Sequence, residues 1–396
     1  MLRDALLHAG ASALTLVLVT ALGLAVAWLL GPEAFGRFAT LQALGAMLAP
    51  LVALRLDTRV AACDSATDLQ DVLAGSVGGA LGFSLLGLMV AAACAVAQPD
   101  VVWLVLAVLS MAVLSCLLDA WVNGLAFLGL RNRLMAYRTG RQVLPVAGAC
   151  AAVAVKPSVD AAALGWVFGA FVCAAWAWFC LPVQGPLTLA RWRRSWVQHR
   201  HGLSASLSLG VLNTVWLNGL LPALQALGLS AVAGQYALVQ RLLGAPLGVV
   251  SVTLNALLMK SSNVLHRQPW RLLGLALGLF VLASTTGAII HMASIGVLPW
   301  QLPERWRMEG DMFWPAVFFL SASFAVGGLS IVSIRLKDEW FLTGWQAVAL
   351  ASWGGVLLLM PSVEAFRWML LLGGCAYGVL LLRWVWRAQP EMRLVP

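Results

Sequence analysis

Apolar runs of about 20 residues recur along the whole of this chain, separated by short segments that carry most of its arginines. At 1.5 Å per residue, about 20 helical residues cross the ~30 Å hydrocarbon core of a bilayer. The runs are continuously apolar, whereas a barrel strand alternates apolar and polar positions. Of the 396 residues, 61% are hydrophobic and only 10% are charged. A soluble domain needs roughly a quarter of its residues charged to coat its surface. The expected fold class is therefore an all-α polytopic membrane protein of about twelve transmembrane helices. The spans fall near 9–30, 37–55, 72–94, 101–123, 139–155, 160–182, 205–226, 232–260, 272–298, 312–334, 341–360 and 365–387. The first apolar run is too long for the ~7–15-residue core of a signal peptide and is read as an uncleaved span.

Basic residues set the orientation. With the N-terminus in the cytoplasm, nineteen of the 25 Lys and Arg fall on the cytoplasmic side. Five fall outside (Arg37, Lys156, Arg305, Arg307 and Arg367), and Arg241 lies within a span. Positive residues are retained inside during insertion, so both termini are expected in the cytoplasm. The net charge of +9 is that of these loops and does not point to nucleic acid. Trp28, Trp103, Trp270, Trp300, Trp340 and Trp384 sit near span ends, where an indole suits the headgroup layer. The seven cysteines lie mostly in apolar runs with no metal-ligand spacing. They are expected as small buried hydrophobes, with no disulfide framework, no metal and no cofactor.

An internal repeat suggests two halves. With GRFATLQALGAML at Gly36 laid on GQYALVQRLLGAP at Gly234, Phe38 meets Tyr236, Ala39 meets Ala237, Gln42 meets Gln240 and Leu44 meets Leu242. The offset is half the chain, and each segment opens the second span of a six-span half. Six is even, so the halves repeat in parallel about an axis along the membrane normal. The expected domains are a six-helix bundle at 1–184, a cytoplasmic linker at 185–204 and a second bundle at 205–396, around a central cavity. In the linker, Trp192 and Trp196 share a helical face, with Arg191, Arg194 and Arg200 on the polar side. It is expected to lie on the membrane surface.

Three stretches carry a family resemblance: LLGPEAFGRFATLQAL at 29–44 with LRLDTRVAACDSATDLQDVL at 54–73, NGLAFLGLRNRLMAYRTGRQVL at 123–144, and GQYALVQRLLGAPLGVVSVTLNALLMK at 234–260. Together they resemble the oligosaccharide flippases of bacterial surface-polysaccharide assembly, within the multidrug/oligosaccharidyl-lipid/polysaccharide exporter superfamily. The resemblance implies two six-helix bundles in a V. It implies translocation of undecaprenyl-diphosphate-linked glycans across the bacterial inner membrane by alternating access, for lipopolysaccharide or O-antigen assembly. Polysaccharide polymerase and chain-length proteins are the implied partners. The chain departs from the pattern in carrying few cationic residues in its spans.

Several residues are candidates for transport. A charge inside a span costs at least ~2.5–3.5 kcal/mol, so Arg241 is expected to face a cavity or to snorkel outward. A guanidinium there suits a diphosphate through paired N–H donors. Thr214, Asn218 and Gln225 share one face of the seventh span, either lining a cavity or joining helices. The repeat-related Gln42 and Gln240 carry the same two readings. Ser115, Asp119 and Asn123 form a polar stripe, with Asp119 either coupling a proton or pairing with an arginine such as Arg131. Arg131, Arg133, Arg138 and Arg141 set topology and attract anionic headgroups. His291 is expected to be structural. Gly75/Gly79, Gly78/Gly82 and Gly274/Gly278 have the spacing of close helix contacts.

Two other classes compete. A drug or small-molecule exporter of related fold often carries an acid in its first span, and 9–30 has none. A membrane polymerase or ligase needs large external loops, and the longest here, about 299–311, has no room for two sugar substrates. No metal or nucleophile constellation appears, so no enzyme is expected.

Overall fold

The computed structural model describes residues 2–56, 60, 63, 65–180, 188–199, 203–244, 247, 250, 269–297, 302–329, 339–360 and 363–387. Its elements are α1 (Leu2–Leu30), α2 (Pro32–Val52), α3 (Ala66–Ala97), α4 (Pro99–Phe127), α5 (Arg131–Val155), α6 (Val159–Cys180), α7 (Leu189–His199), α8 (Leu203–Asn218) and α9 (Leu220–Ala226). Residues 230–244 form α10. After it come α11 (Pro269–Ser294), a short 3-10 turn (Glu304–Trp306), α12 (Gly310–Gly327), α13 (Glu339–Leu359) and α14 (Val363–Arg387).

Among the described residues, eight helices are long and apolar enough to cross a membrane, or nine when one bent pair counts as a span. The protein is thus an all-α, multi-pass membrane protein, with fewer qualifying helices than the twelve expected. The reasons are local. In α1 the stretch that counts is Leu14–Leu30, because nearly all side chains before it lie outside the described residues. The first turns of α5, RNRLMAYRTGR, carry four arginines. The expected span 232–260 is helical over 230–244, and its remainder lies outside the described residues.

Helix boundaries follow the chain's punctuation. Gly31 adopts φ 78, a left-handed turn open to glycine, and Pro32 then opens α2 in the first turn, where its missing N–H costs nothing. Ser65 caps α3, its hydroxyl accepting from the Asp68 N–H at 3.2 Å. The expected single span 205–226 is broken instead: Ser206–Asn218 and Leu220–Ala226 meet at 57°. Pro222 explains it. Within an unbroken helix it would leave the Asn218 carbonyl without a donor and crowd it, whereas the break at Gly219 places Pro222 in a first turn.

Chain contacts separate two compact units, 21–226 and 1–20 with 227–396. In the first, Leu69, Val72, Leu118, Trp121, Leu125, Tyr137, Ala170 and Cys173 build one core across α3 to α6. The tightest seam joins α5 to α6. A Cβ added at Gly148, Gly165 or Gly169 would strike the facing backbone carbonyl of Gly165, Gly148 or Leu144. At Gly45 of α2 it would lie 2.8 Å from Met111 Cβ of α4. Such bare glycines let helices approach at backbone distance. On the other side of α3, Leu81, Leu85, Leu88 and Met89 are exposed, a belt that only lipid covers without cost.

The linker helix α7 is docked on protein along one side rather than lying free. Trp192 packs on Gly78 of α3, where a Cβ would come within 2.9 Å of the indole. Ser195 is fully buried beside Gly75. Arg191 donates to Gln70 Oε1 at 2.8 Å, and Arg194 pairs with the buried Asp71 carboxylate at 3.3 Å. Glycines 75 and 78 thus seat this helix, and a Cβ at Gly79 would come within 2.8 Å of the Val52 carbonyl, while one at Gly82, Gly274 or Gly278 would meet nothing within 4 Å among the described residues. Arg200 lies outside the described residues.

The second unit packs α11, α12, α13 and α14 through aromatic side chains. Phe319 stacks near Trp353 and Tyr377, and Gly373 leaves room for both Phe319 and Trp353. The Trp353 indole N–H donates to the Met369 carbonyl at 2.8 Å. His291 lies against Phe313 and Trp314, with ring centroids 4.9 and 5.1 Å away. That is the structural packing expected of it. No disulfide joins any of the seven cysteines.

Candidate substrate cavity

A cavity of about 920 Å³ opens within the first unit, between α2, α3 and α4. On α2 the wall is one helical face: Arg37, Leu41, Leu44 and Leu48, spaced by three or four residues, with Thr40 beside Leu41. Phe83, Leu86 and Val90 of α3 and Leu104, Val108 and Leu109 of α4 supply most of the rest. The start of α6 adds Val159 and Asp160, and α9 adds Gln225. The walls are thus hydrocarbon with four polar side chains at separate points.

Those four differ in state. Arg37 is half-exposed and ion-paired with Glu33 at 2.6 Å. Asp160 is exposed at the start of α6. The Thr40 hydroxyl is committed to backbone, donating to the Gly36 carbonyl at 2.9 Å and reaching the Leu221 carbonyl at 3.4 Å. Gln225 Oε1 is buried and meets no hydrogen-bond partner among the described residues. A buried amide oxygen left unpaired costs about 1–3 kcal/mol, and a ligand donor in this cavity would remove that cost.

The seventh-span stripe divides at the helix break. The Thr214 hydroxyl donates back to the Val211 carbonyl at 3.0 Å, and Asn218 Nδ2 donates to the Thr214 carbonyl at 2.9 Å. Both therefore support the end of α8, and Gln225 alone of the three lines the cavity. Gln42 is half-buried on α2 but is not on the cavity face. Gln240 and Arg241 are half-buried on α10, in the other unit. Arg37, Thr40 and Asp160 were not singled out in advance, although the first two stand in the GRFATLQ segment that marks the repeat.

Asp119 pairs with an arginine, Arg141. The α4–α5 hairpin dictates this. Asp119 lies about 12 Å before the end of α4 and Arg141 about 15 Å into α5, so antiparallel helices set them side by side. Arg133 donates to the Cys180 carbonyl at 2.7 Å, at the negative end of α6. Arg138 is exposed, and the Arg131 side chain lies outside the described residues. Two of the four basic residues are therefore engaged within the protein. The Asp119–Arg141 pair is part-exposed, so alanine at both positions should reveal a coupling of only about 0.5–1 kcal/mol in a double-mutant cycle of unfolding in detergent. A coupling of zero would break the assignment.

Among the described residues, no group of three or more His, Cys, Asp or Glu side chains is placed to hold a metal ion. No family model matches the chain, and no curated protein does. Among solved structures, the chain is similar to the inward-facing conformation of a multidrug resistance MATE family transporter of the MOP superfamily. The identity is 14% over 95% of this chain and 94% of that chain, with a TM-score of 0.50. A crystal structure of a MATE mutant matches at 14% identity over 98% of this chain and 96% of that chain, with a TM-score of 0.39. The first of these likenesses runs nearly end to end and shows the fold: this chain is built on the helical plan of that transporter.

Proposed function

We propose that this chain is a membrane transporter that carries an amphipathic, mainly apolar small molecule by alternating access. The observation that carries the proposal is the cavity of about 920 Å³, walled by leucine, valine, phenylalanine and tryptophan with few polar groups. Apolar walls with a small number of placed polar groups suit a ligand of the same make-up. A sugar carries a hydroxyl on most of its carbons, and each one left unpaired here would cost about 1–3 kcal/mol. The fold shared with a multidrug resistance transporter supports the same reading. Gln225 would accept from the ligand's polar end, with Arg37 and Asp160 near the opening.

The second reading is a flippase for undecaprenyl-diphosphate-linked oligosaccharide, favoured by the three sequence stretches named above and by the half-buried Arg241. In that reading Arg241, with Gln240 and Gln42, would meet the diphosphate and sugar, and Asp119 is a candidate for coupling. Under either reading we place the chain in the bacterial inner membrane with both termini inside, as twelve spans in halves 1–184 and 205–396 around the connector 185–204.

Reconstituted protein decides between them. Vesicles carrying the chain should move a fluorescent amphipathic dye saturably under an imposed proton or sodium gradient, and a deletion strain should keep its surface polysaccharide. If the dye stays put while the deletion strands lipid-linked glycan on the inner leaflet, the flippase reading takes its place. Then Arg241→Ala and Arg241→Lys should both impair flipping, because lysine lacks the paired N–H donors of the guanidinium.

A further inference from the structure

We propose that the outward face of α7 is a contact surface for anionic phospholipid headgroups. Three observations converge on it. The first is depth. Helix α7 lies beside residues 70–78 of α3, with Trp192 seated on Gly78. The lipid-exposed belt of α3 begins at Leu81, about 4.5 Å further along the helix. The layer on each side of the hydrocarbon core is about 5–7 Å thick, so α7 runs at headgroup level.

The second is the division of faces. Trp192, Ser195 and Trp196 turn inward onto protein. Ala190, Arg193, Val197 and Gln198 turn outward and, with Arg194, border an open recess of about 600 Å³. Val197 is 56% exposed although it is apolar. A short apolar side chain flanked by arginines is the pattern of a helix lying at a lipid interface.

The third is charge. The helix sequence LARWRRSWVQH holds three arginines and no acid. Asp71 is the carboxylate that meets them, and it faces Arg191 and Arg194 from the buried side. Arg193 stands outside that pairing, exposed on the outer face. The surface therefore keeps excess positive charge where phosphodiesters lie, and a guanidinium binds a phosphate through two parallel N–H donors. A zwitterionic headgroup offers the same phosphate beside a cation that opposes the arginines, so the surface should prefer a headgroup with net negative charge.

A photoreactive benzophenone residue in place of Val197 tests this in the full chain, held in nanodiscs of equimolar phosphatidylglycerol and phosphatidylcholine. Mass spectrometry then counts the lipid adducts. Phosphatidylglycerol adducts should outnumber phosphatidylcholine adducts by about fivefold, the factor expected of one basic residue near an anionic surface. Arg193→Gln should bring the ratio close to one, and Arg193→Lys should keep most of it. Equal adducts in the unaltered background, no lipid adduct, or a preference untouched by Arg193→Gln would each overturn the proposal. Residues 193 and 197 both turn away from α3, so neither change disturbs the docked side.

Discussion

Gly165→Val should abolish recovery of a monodisperse folded protein. The α5–α6 seam has no side chain that can yield. A Cβ at Gly165 runs into the Gly148 carbonyl and comes within 2.7 Å of Ala152 Cβ. Gly148 on the facing helix, and Gly169 one turn further along α6, are equally bare and equally crowded. Overpacking a core typically costs about 1–3 kcal/mol when side chains can shift. Here backbone must move against backbone, so the cost should exceed about 3 kcal/mol. Size-exclusion chromatography and thermal unfolding in detergent measure it. Gly274→Val is the control, because among the described residues nothing lies within 4 Å of a Cβ there, and it should behave as the parent does. A Gly165→Val protein of parental stability would mean that α5 and α6 do not touch as described.

Leu44→Trp should stop transport while sparing the fold. Leu44 sits midway along the α2 wall of the cavity, so an indole there occupies space a substrate would use and buries more apolar surface. The thermal midpoint should hold or rise. Dye transport should fall by about tenfold or more, which corresponds to about 1.4 kcal/mol on the transport barrier. The two readouts moving apart is the signature. Full transport by a stable Leu44→Trp protein would show that the cargo passes elsewhere.

Much of the helical plan was readable from periodicity and length, and so was the packing role of His291. What escaped was whatever depends on a partner not named by local spacing. Gly165 and Gly169 are four apart, as are Gly274 and Gly278. The first pair meets a bare helix, and the second meets nothing among the described residues. Spacing reveals a small face but not what lies opposite it. An arginine partner for Asp119 was expected, and hairpin geometry selects Arg141 for it, because the two residues lie nearly equally far from the turn. Of the seventh-span stripe, Thr214 and Asn218 were absorbed by the break that Pro222 imposes. Gln225 lies beyond that break and reached the cavity. Arg37 and Asp160 were masked because charged residues at span ends ordinarily mark topology.

The clasp of α7 on α3 also bears on the order of assembly. Arg191 meets Gln70 across 121 residues of chain, and Arg194 meets Asp71 across 123. Until the ribosome has released that much polypeptide, the Asp71 carboxylate has neither guanidinium. Closing so long a loop costs little more than closing a moderate one, so the delay is set by synthesis rather than by entropy. Helix α3, inserted early, is closed over late, by a segment that follows α6, and that side of the nascent bundle stays open until α7 folds back.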